Sequence, residues 1–346
     1  MGGIAWPVFA ALLLGWSLVY FSAWKGVRSI SAVVKWTATL PIAILALLIF
    51  RAVTLEGAGD GLSLFFIPDW SQLLTTDVWI AAFSQVFFSL SLAFGIMIAY
   101  GSLKRRDSEI TKSVIYIAGG NFLVSIMSGI VVFGTLGYMA LNQGVPVTEV
   151  VASGPGLVFV VFPEAISLLP AFNALIGVLF FGMVLMLAID SAFSLLEALS
   201  VSIRDRLPNL KIENISFVLA LIGAAMGALY STKAGLYYLD ITDHFIVSYG
   251  LVSIGILQAV IVGWFWKSDQ LLQFIKGHSV VHLEKLWLFS IKYFIPVFLT
   301  ILLFINLHSD LTENYGDYSS TSLIYLGVVP LIMAICVGYI LDKKTS

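Results

Sequence analysis

Carboxyl, hydroxyl and carbonyl groups occur at helical spacing inside one long apolar stretch of this sequence. Leu187, Asp190 and Ser191 stand at i, i+3 and i+4, so a helix would present all three on one face. A carboxylate at membrane depth costs at least about 2.5–3.5 kcal/mol unless it finds a partner, and no Lys or Arg occurs at that depth. Carbonyl, carboxylate and hydroxyl oxygens are ligands of hard cations such as sodium. The set therefore indicates a sodium site, with a protonated, structural Asp190 as the alternative.

Two pairs of polar residues repeat the i, i+4 spacing in other apolar stretches: Gln85 with Ser89, and Asn121 with Ser125. On facing helices, such amide and hydroxyl groups without a carboxylate would suit a small anion such as chloride, or the carbonyl side of a cation site. Hydrogen bonding between helices, at about 0.6 kcal/mol per contact, is the simpler explanation of the spacing alone.

The stretch around Ser89 also predicts irregular backbone. Ser91 and Gly95 follow within two turns, and hydroxyls beside a glycine suit a helix that breaks inside the membrane. Broken backbone at that depth is tolerated only beside a cavity or where it is buried in protein. The alternative is an intact helix whose serine hydroxyls donate to the carbonyls at i−4.

Membrane helices must position these residues, because the composition excludes a soluble fold. The chain has 346 residues, of which 60% are hydrophobic and only 11% are charged, and its mean hydropathy is +1.00. Soluble domains carry about 25% charged residues. A protein of this size could not cover its surface with so few charges, so the composition predicts a polytopic membrane protein in contact with the lipid bilayer.

Several classes of function are disfavoured by the same sequence. The net charge of −2 supplies no basic field for nucleic acid. The single cysteine, Cys336, excludes an intramolecular disulfide and a thiolate metal cluster. His278 and His282 have i, i+4 spacing but fall in a Lys-bearing loop, so we interpret them as solvated and expect no metal other than sodium. No Ser-His-Asp set, HExxH motif or P-loop is present, so an enzyme is not predicted.

A spanning helix needs about 20 mostly apolar residues, and nine stretches meet that requirement. They form one all-α transmembrane domain, with 138–172 as an extracellular loop. In the sixth stretch, Gly223 and Gly227 form a small-residue face that indicates close helix packing. The predicted spans are about 5–24, 34–55, 78–103 (broken), 110–137, 173–203, 214–232, 240–266, 288–307 and 322–341.

The distribution of basic residues predicts the orientation. Sixteen of the 18 Lys and Arg residues fall in alternate loops or after the last span, and only Arg51 and Lys233 fall on the opposite side. Because positive loops stay in the cytoplasm, the C-terminus is expected inside and Met1 outside. The protein is then a multi-pass protein of the plasma (inner) membrane that begins in the middle of an architecture.

The motifs resemble those of the neurotransmitter:sodium symporter family, whose bacterial members mostly carry amino acids. The segment from Gln85 to Gly95, QVFFSLSLAFG, resembles the broken sixth helix of that family, in which broken helices form the transport site. The resemblance extends along essentially the whole chain. It continues through Tyr100-Gly-Ser-Leu-Lys, Gly120-Asn121, Gly154-Pro-Gly-Leu-Val-Phe-Val-Val-Phe-Pro-Glu164-Ala, Leu187-Ala-Ile-Asp-Ser191 and Tyr237-Tyr-Leu-Asp-Ile-Thr-Asp243-His-Phe.

The resemblance implies a fold of two inverted repeats of five helices. The nine predicted spans are similar to family helices four to twelve, so the fold is expected to lack its first three helices. This would explain why Met1 falls outside. The partners considered are therefore a missing or separate three-helix portion and a homodimer, besides the substrate and lipid.

The resemblance also implies ion sites. The second sodium site would use the carbonyl of Leu187 with Asp190 and Ser191, and the first would use Ser89 and Asn121. Chloride-independent members carry a carboxylate where this chain has Ser125, so a chloride-competent pattern is expected. The implied chloride ligands are Gln85, Ser89, Asn121 and Ser125.

Substrate and gate positions follow from the same resemblance. Asp243 matches the outer-gate acid and Asp205 matches the inner-gate acid, each without its arginine partner in this chain. Ala93 replaces a frequent glycine in the broken helix. The positions implied to line the substrate pocket are Phe88, Ser89, Ser91, Phe94, Ser191 and Leu195.

Three functions remain open at this point. The first is sodium-coupled symport of an amino acid or a related small molecule, by a chain that is expected to be incomplete and inactive alone. The second is a subunit that pairs with a separate three-helix chain. The third is a membrane scaffold or binding protein without transport activity of its own.

Overall fold

A computed structural model describes residues 2–24, 27–105, 108–151, 154–266, 268–279 and 284–343. Within these residues the protein is helical, and an isolated β-bridge joins Ile4 to Thr232. The helices are α1 (Trp6–Ala23), α2 (Val27–Val53), α3 (Ala58–Phe66), α4 (Thr76–Ser89), α5 (Ile96–Ser102), α6 (Ile110–Gln143), α7 (Gly154–Ser167), α8 (Asn173–Arg206), α9 (Ile212–Ser231), α10 (Gly235–Phe265), α11 (Ser268–Gly277), α12 (284–312) and α13 (320–343).

Eight of these helices are long and apolar enough to cross a membrane, counted within the described residues. The stretch 78–103 is divided between α4 and α5. Helix α6 continues past 137 to Gln143, and the stretch 138–172 also contains the helix α7. Long runs of apolar residues that include Gly and Pro stay helical because the bilayer offers the backbone no other hydrogen-bond partners.

The chain forms two compact units. The first contains Met1–Gly26, Asp77–Tyr116 and Phe193–Ser346, and the second contains Val27–Thr76 and Ile117–Ala192. Helices α6 and α8 run through both.

The second unit has an apolar core built on one face of α2. Ile44, Leu45 and Leu48 are buried there and belong to the same cluster as buried residues of α6, α7 and α8. In that cluster the rings of Phe162 and Phe180 stack with their centroids 4.5 Å apart and their planes 1° apart. The i, i+4 spacing of the buried residues on α2 is what turns one helix face toward this core.

Glycines bring α3 and α6 into backbone contact within the second unit. A Cβ atom at Gly61 would lie 1.8 Å from the carbonyl oxygen of Phe133, and one at Gly137 would lie 2.4 Å from the carbonyl oxygen of Gly57. Small residues allow such close approach in membrane helices, where van der Waals packing drives association. Any side chain at these positions must push the helices apart.

The first unit is organised around pairs of packed helices. Helix α1 packs on α9, where Gly223 leaves room for the ring of Trp16. A Cβ atom at Gly223 would lie 2.2 Å from that ring, so the small-residue face accommodates a bulky side chain. Ser200 of α8 and Ser216 of α9 are fully buried, and their hydroxyl oxygens lie 3.1 Å apart in a hydrogen bond.

Candidate transport site

The backbone between α4 and α5 is irregular. Helix α4 ends at Ser89 and α5 begins at Ile96. Ser91, Ala93 and Gly95 have φ angles of 51°, 66° and 80°, which lie in the left-handed region. A right-handed helix cannot continue through a five-residue segment in which every second residue is left-handed. The chain therefore releases backbone carbonyl and N–H groups from the helix ladder at this point.

Replacing Ala93 by glycine is expected to stabilise the protein by about 0.5–1 kcal/mol. A non-glycine residue in the left-handed region costs about 1–2 kcal/mol, whereas the greater freedom of glycine in the unfolded chain costs about 0.4–1 kcal/mol. Thermal unfolding in detergent measures the difference. As the control, Ala81→Gly in the regular helix α4 should destabilise by about 1 kcal/mol. Equal effects of the two changes would contradict the strain at Ala93.

Two predicted substrate-lining residues meet across this break. The rings of Phe88 and Phe94 are arranged edge to face with their centroids 5.9 Å apart. Phe88 also lines a cleft of the first unit between α4, α10 and α12, together with Ser248 and Asn306. After the break, the Tyr100 hydroxyl of α5 donates to the Ser194 hydroxyl of α8 over 3.0 Å. The break is therefore flanked by the aromatic side chains of Phe88 and Phe94, and the hydrogen bond from Tyr100 connects the following helix, α5, to α8.

The predicted cation ligands lie along one exposed face of α8. Leu187 and Ser191 are exposed and four residues apart, and Asp190 is half-buried beside them. Leu195, a predicted substrate-lining residue, is exposed one turn further along the same face. Thr37 of α2 donates a hydrogen bond from its Oγ1 to the Asp190 Oδ1 atom over 2.8 Å. A carboxylate and a hydroxyl on consecutive residues, with a backbone carbonyl about one turn earlier, fit the oxygen ligands that sodium takes.

The predicted chloride ligands are divided between the two units. Gln85 and Ser89 lie on the last turns of α4 in the first unit, and Gln85 is exposed. Asn121 and Ser125 lie on α6 in the second unit, and Ser125 is exposed. Within each unit, the i, i+4 spacing on a regular helix places both members of a pair on one face.

The outer-gate candidate Asp243 lies on α10 next to a network of charged and aromatic side chains. The neighbouring His244 contacts Asp310 of α12, with its Nε2 atom 2.6 Å from a carboxylate oxygen. The Tyr249 hydroxyl donates to the same carboxylate over 2.6 Å. The ring of Tyr315 stacks on His244 with a centroid distance of 3.7 Å. The network joins α10 to the end of α12.

Asp240, one turn before His244, extends the network to the segment after α12. It accepts hydrogen bonds from the hydroxyls of Tyr315, over 3.1 Å, and Tyr318, over 2.9 Å. Burial, together with the carboxylate of Asp240, raises the pKa of Tyr318 to about 12. Tyr318 therefore stays a neutral donor at ordinary pH. The inner-gate candidate Asp205 is exposed near the end of α8.

Glu197 is a second acid on α8 that no predicted site uses. It is fully buried in the first unit, and neither carboxyl oxygen has a hydrogen-bond partner among the residues that the structure describes. The sequence places it two turns beyond Asp190, but only the structure distinguishes the two acids by their burial.

Thr37 is the residue that sequence reasoning missed. Its bond to Asp190 joins positions 153 residues apart, which spacing within a helix cannot indicate. A hydroxyl four residues before Pro41 inside an apolar span was the available signal. Of the histidine pair, the Nδ1–H group of His278 donates a hydrogen bond to the Phe274 carbonyl oxygen, and His282 lies outside the described residues. In the part of the chain that the structure describes, no three His, Cys, Asp or Glu side chains gather to hold a metal ion.

Long apolar helices and the interrupted pair α4–α5 define a polytopic membrane protein with a transporter fold. The fold is similar to that of MhsT, solved in complex with L-phenylalanine, with a TM-score of 0.70 and 28% sequence identity over 85% of this chain. The sequence matches the model of the sodium:neurotransmitter symporter family over residues 1–344. The chain belongs to this family of sodium symporters.

Relatives from distant organisms agree with this assignment. An uncharacterized sodium-dependent transporter of Methanocaldococcus jannaschii is 36% identical over 100% of this chain. The sodium- and chloride-dependent glycine transporter 2 of Xenopus laevis is 33% identical over 92% of it, and the sodium- and chloride-dependent GABA transporter 2 of Mus musculus is 34% identical over 77%. This chain spans 70% of the archaeal relative, 66% of MhsT, and 40% and 45% of the two animal transporters.

Proposed function

We propose that this chain takes part in sodium-coupled symport of an amino acid, with Asp190 as the main sodium ligand. The observation that carries the proposal is a carboxyl group on a membrane helix, with Leu187 and Ser191 beside it on an exposed face. An acid inside a span needs a partner, and a sodium ion neutralises it. Membership of the family supports sodium, and the complex of MhsT with L-phenylalanine supports an amino acid.

The substrate would be held beside the break between α4 and α5. Released backbone groups can bind the polar groups of a small molecule, and the aromatic pair Phe88–Phe94 can cover an apolar side chain. A first sodium ion would use Ser89 and Asn121. The other lining residues in this proposal are Ser91, Ser191 and Leu195, with Asp243 and Asp205 as gate acids.

Chloride is proposed as a second required ion. Its ligands would be the two polar pairs, Gln85 with Ser89 and Asn121 with Ser125, which carry amide and hydroxyl groups and no carboxylate. A carboxylate in the set would supply the negative charge that chloride otherwise brings. The glycine and GABA transporters among the relatives are described as chloride-dependent.

Replacing Ser125 by glutamate should therefore remove the requirement for chloride. The new carboxylate would stand where the anion binds, and repulsion between the two like charges would exclude chloride. Uptake is compared in chloride and in gluconate. The Ser125→Gln variant has a side chain of similar size without the charge, and it should keep the requirement. If the glutamate variant still needs chloride, the anion assignment is wrong.

Uptake by purified protein in liposomes tests the proposed function. The chain is reconstituted by itself and together with a separately expressed three-helix segment of a family member, and radiolabelled amino acids are added with sodium or choline outside. We expect little uptake by the chain alone and sodium-driven uptake by the pair. Uptake that is indifferent to sodium would contradict the proposal.

The second candidate function is a membrane scaffold or binding protein without transport activity. The exposed apolar side chains of the spanning helices are expected to contact lipid under either function. A stable chain that binds sodium or an amino acid but never transports, alone or in the pair, would favour it. The Lys and Arg distribution predicts a cytoplasmic C-terminus in the plasma or inner membrane, which the accessibility of a C-terminal tag in intact cells tests.

A further inference from the structure

The carboxyl group of Asp190 is held by a residue from a different helix. Thr37 of α2 and Asp190 of α8 belong to the same compact unit, and the Thr37 hydroxyl donates to the Asp190 Oδ1 atom over 2.8 Å. The same hydroxyl oxygen lies 3.3 Å from the carbonyl oxygen of Val33, one turn earlier on α2. A hydroxyl has one proton to donate, and the shorter contact, to a carboxylate oxygen, is the stronger.

Pro41 interrupts the backbone hydrogen bonding of α2 at the turn that carries Thr37. A threonine inside a helix ordinarily donates to the carbonyl at i−4. Pro41 lies inside α2 and has no N–H, so the Thr37 carbonyl lacks its usual helical donor, and the proline ring crowds that carbonyl. The backbone hydrogen bond that would join the Thr37 carbonyl to residue 41 is therefore missing from α2.

The packing of α2 fixes where Thr37 points. Pro41, Leu45 and Leu48 follow Thr37 on the same helical face at i+4, i+8 and i+11, and all three are buried. This face packs in the core of the second unit, which also contains Phe180 of α8. Thr37 is consequently held toward α8 by packing that does not involve the carboxyl group itself.

From this geometry we infer that Thr37 is a positioning residue for the sodium site, which orients the Asp190 carboxyl group and so sets the affinity for sodium. The inference rests on the proposed role of Asp190. Outer partners that orient a metal ligand commonly change the affinity for the ion by about 10–100-fold when they are removed. The hydrogen bond between Thr37 and Asp190 involves neither the backbone carbonyl of Leu187 nor the hydroxyl of Ser191, so both of these groups can bind the ion.

The test is a sodium titration of thermal stability, which requires no transport. The purified chain is unfolded by heat at increasing sodium, with choline keeping the ionic strength constant. A ligand that binds only the folded protein raises the unfolding temperature as its concentration passes the dissociation constant. Thr37→Val, which keeps the shape and removes the hydroxyl, should raise the half-saturating sodium concentration about tenfold.

Three matched variants separate positioning from packing. Thr37→Ser keeps the hydroxyl, so the bond to Asp190 is retained. Its half-saturating sodium concentration should therefore stay within about twofold of the wild-type value. Thr39 lies on the exposed side of the same helix, where its hydroxyl donates to the Lys35 carbonyl. Thr39→Val should therefore leave the half-saturating sodium concentration unchanged. Thr37→Ala replaces the valine variant if that variant does not fold. In an Asp190→Asn background, Thr37→Val should have no further effect.

The outcomes are distinguishable. If sodium does not stabilise the wild-type chain, the sodium site at Asp190 and this inference are both overturned, whereas uptake by the paired chains still tests the proposed function. If sodium stabilises the wild type and Thr37→Val titrates in the same range, only the role of Thr37 is overturned. If Asp190→Asn retains the full effect of sodium, the ion binds elsewhere, and Thr37 does not position its ligand. An equal shift from Thr39→Val would assign the effect to α2 packing instead.

Discussion

Replacing Asp190 by asparagine is expected to abolish the stabilisation of the protein by sodium and to reduce sodium-driven uptake to background. The substitution removes the negative charge but keeps the shape, and the amide oxygen can still accept the hydrogen bond from Thr37. Two unit charges 4 Å apart attract by about 4 kcal/mol at an effective dielectric constant of about 20. We therefore expect the affinity for sodium to fall by at least about a hundredfold.

The matched control is Glu197→Gln on the same helix. Glu197 is fully buried, and within the described part of the chain neither of its carboxyl oxygens has a hydrogen-bond partner. An amide there avoids the cost of a buried charge, so folding should be preserved and the half-saturating sodium concentration should stay at the wild-type value. A normal sodium response in Asp190→Asn, or an equal loss in Glu197→Gln, would remove Asp190 from the site.

Replacing Gly61 by alanine is expected to prevent the helices α3 and α6 from packing. The added Cβ atom would lie 1.8 Å from the carbonyl oxygen of Phe133 and 3.0 Å from the backbone nitrogen of Gly137. A backbone atom cannot rotate away as a flexible side chain can, so the helices must separate. Overpacking of this kind costs about 1–3 kcal/mol or more, and we expect a value at the upper end or a loss of folded protein.

Gly59, two residues earlier on α3, provides the control for this change. No atom of the described residues outside its own chain neighbourhood lies within 4 Å of a Cβ atom at that position. Because alanine favours a helix over glycine by about 1 kcal/mol, Gly59→Ala should leave the protein as stable or more stable. Both variants are compared by fluorescence-detected size exclusion and by thermal unfolding in detergent. Similar unfolding temperatures for the two variants would show that α3 and α6 can separate at little cost.

The family and the helical membrane fold could be predicted from the sequence and are confirmed. Apolar runs of about 20 residues identify spanning helices, and motifs such as QVFFSLSLAFG around Ser89 identify the family. The proposed ion and substrate residues remain predictions. They were derived from spacing along single helices and from the resemblance, and each is a local property of the chain.

Contacts between distant segments could not be predicted in the same way. The sequence pointed to Gly223 and Gly227 as a packing face, whereas the tightest backbone approach involves Gly61 and Gly137. Helix α3 is too short for a spanning pattern, and its partner on α6 is more than 70 residues away. The bond from Thr37 to Asp190 is similar, because which helices are neighbours is decided by tertiary packing rather than by periodicity.

The position of Asp190 within α8 has a consequence for how the protein is made. During synthesis, a hydrophobic segment leaves the translocon according to its summed transfer free energy. Asp190 alone adds about 2.5–3.5 kcal/mol at the centre of the bilayer, but ten Leu, Ile, Val and Phe residues between Leu175 and Ile189 contribute about −3 to −6 kcal/mol. The segment that carries Asp190 can therefore enter the membrane before the Thr37 hydroxyl reaches its carboxyl group, so insertion of α8 does not depend on the contact with α2.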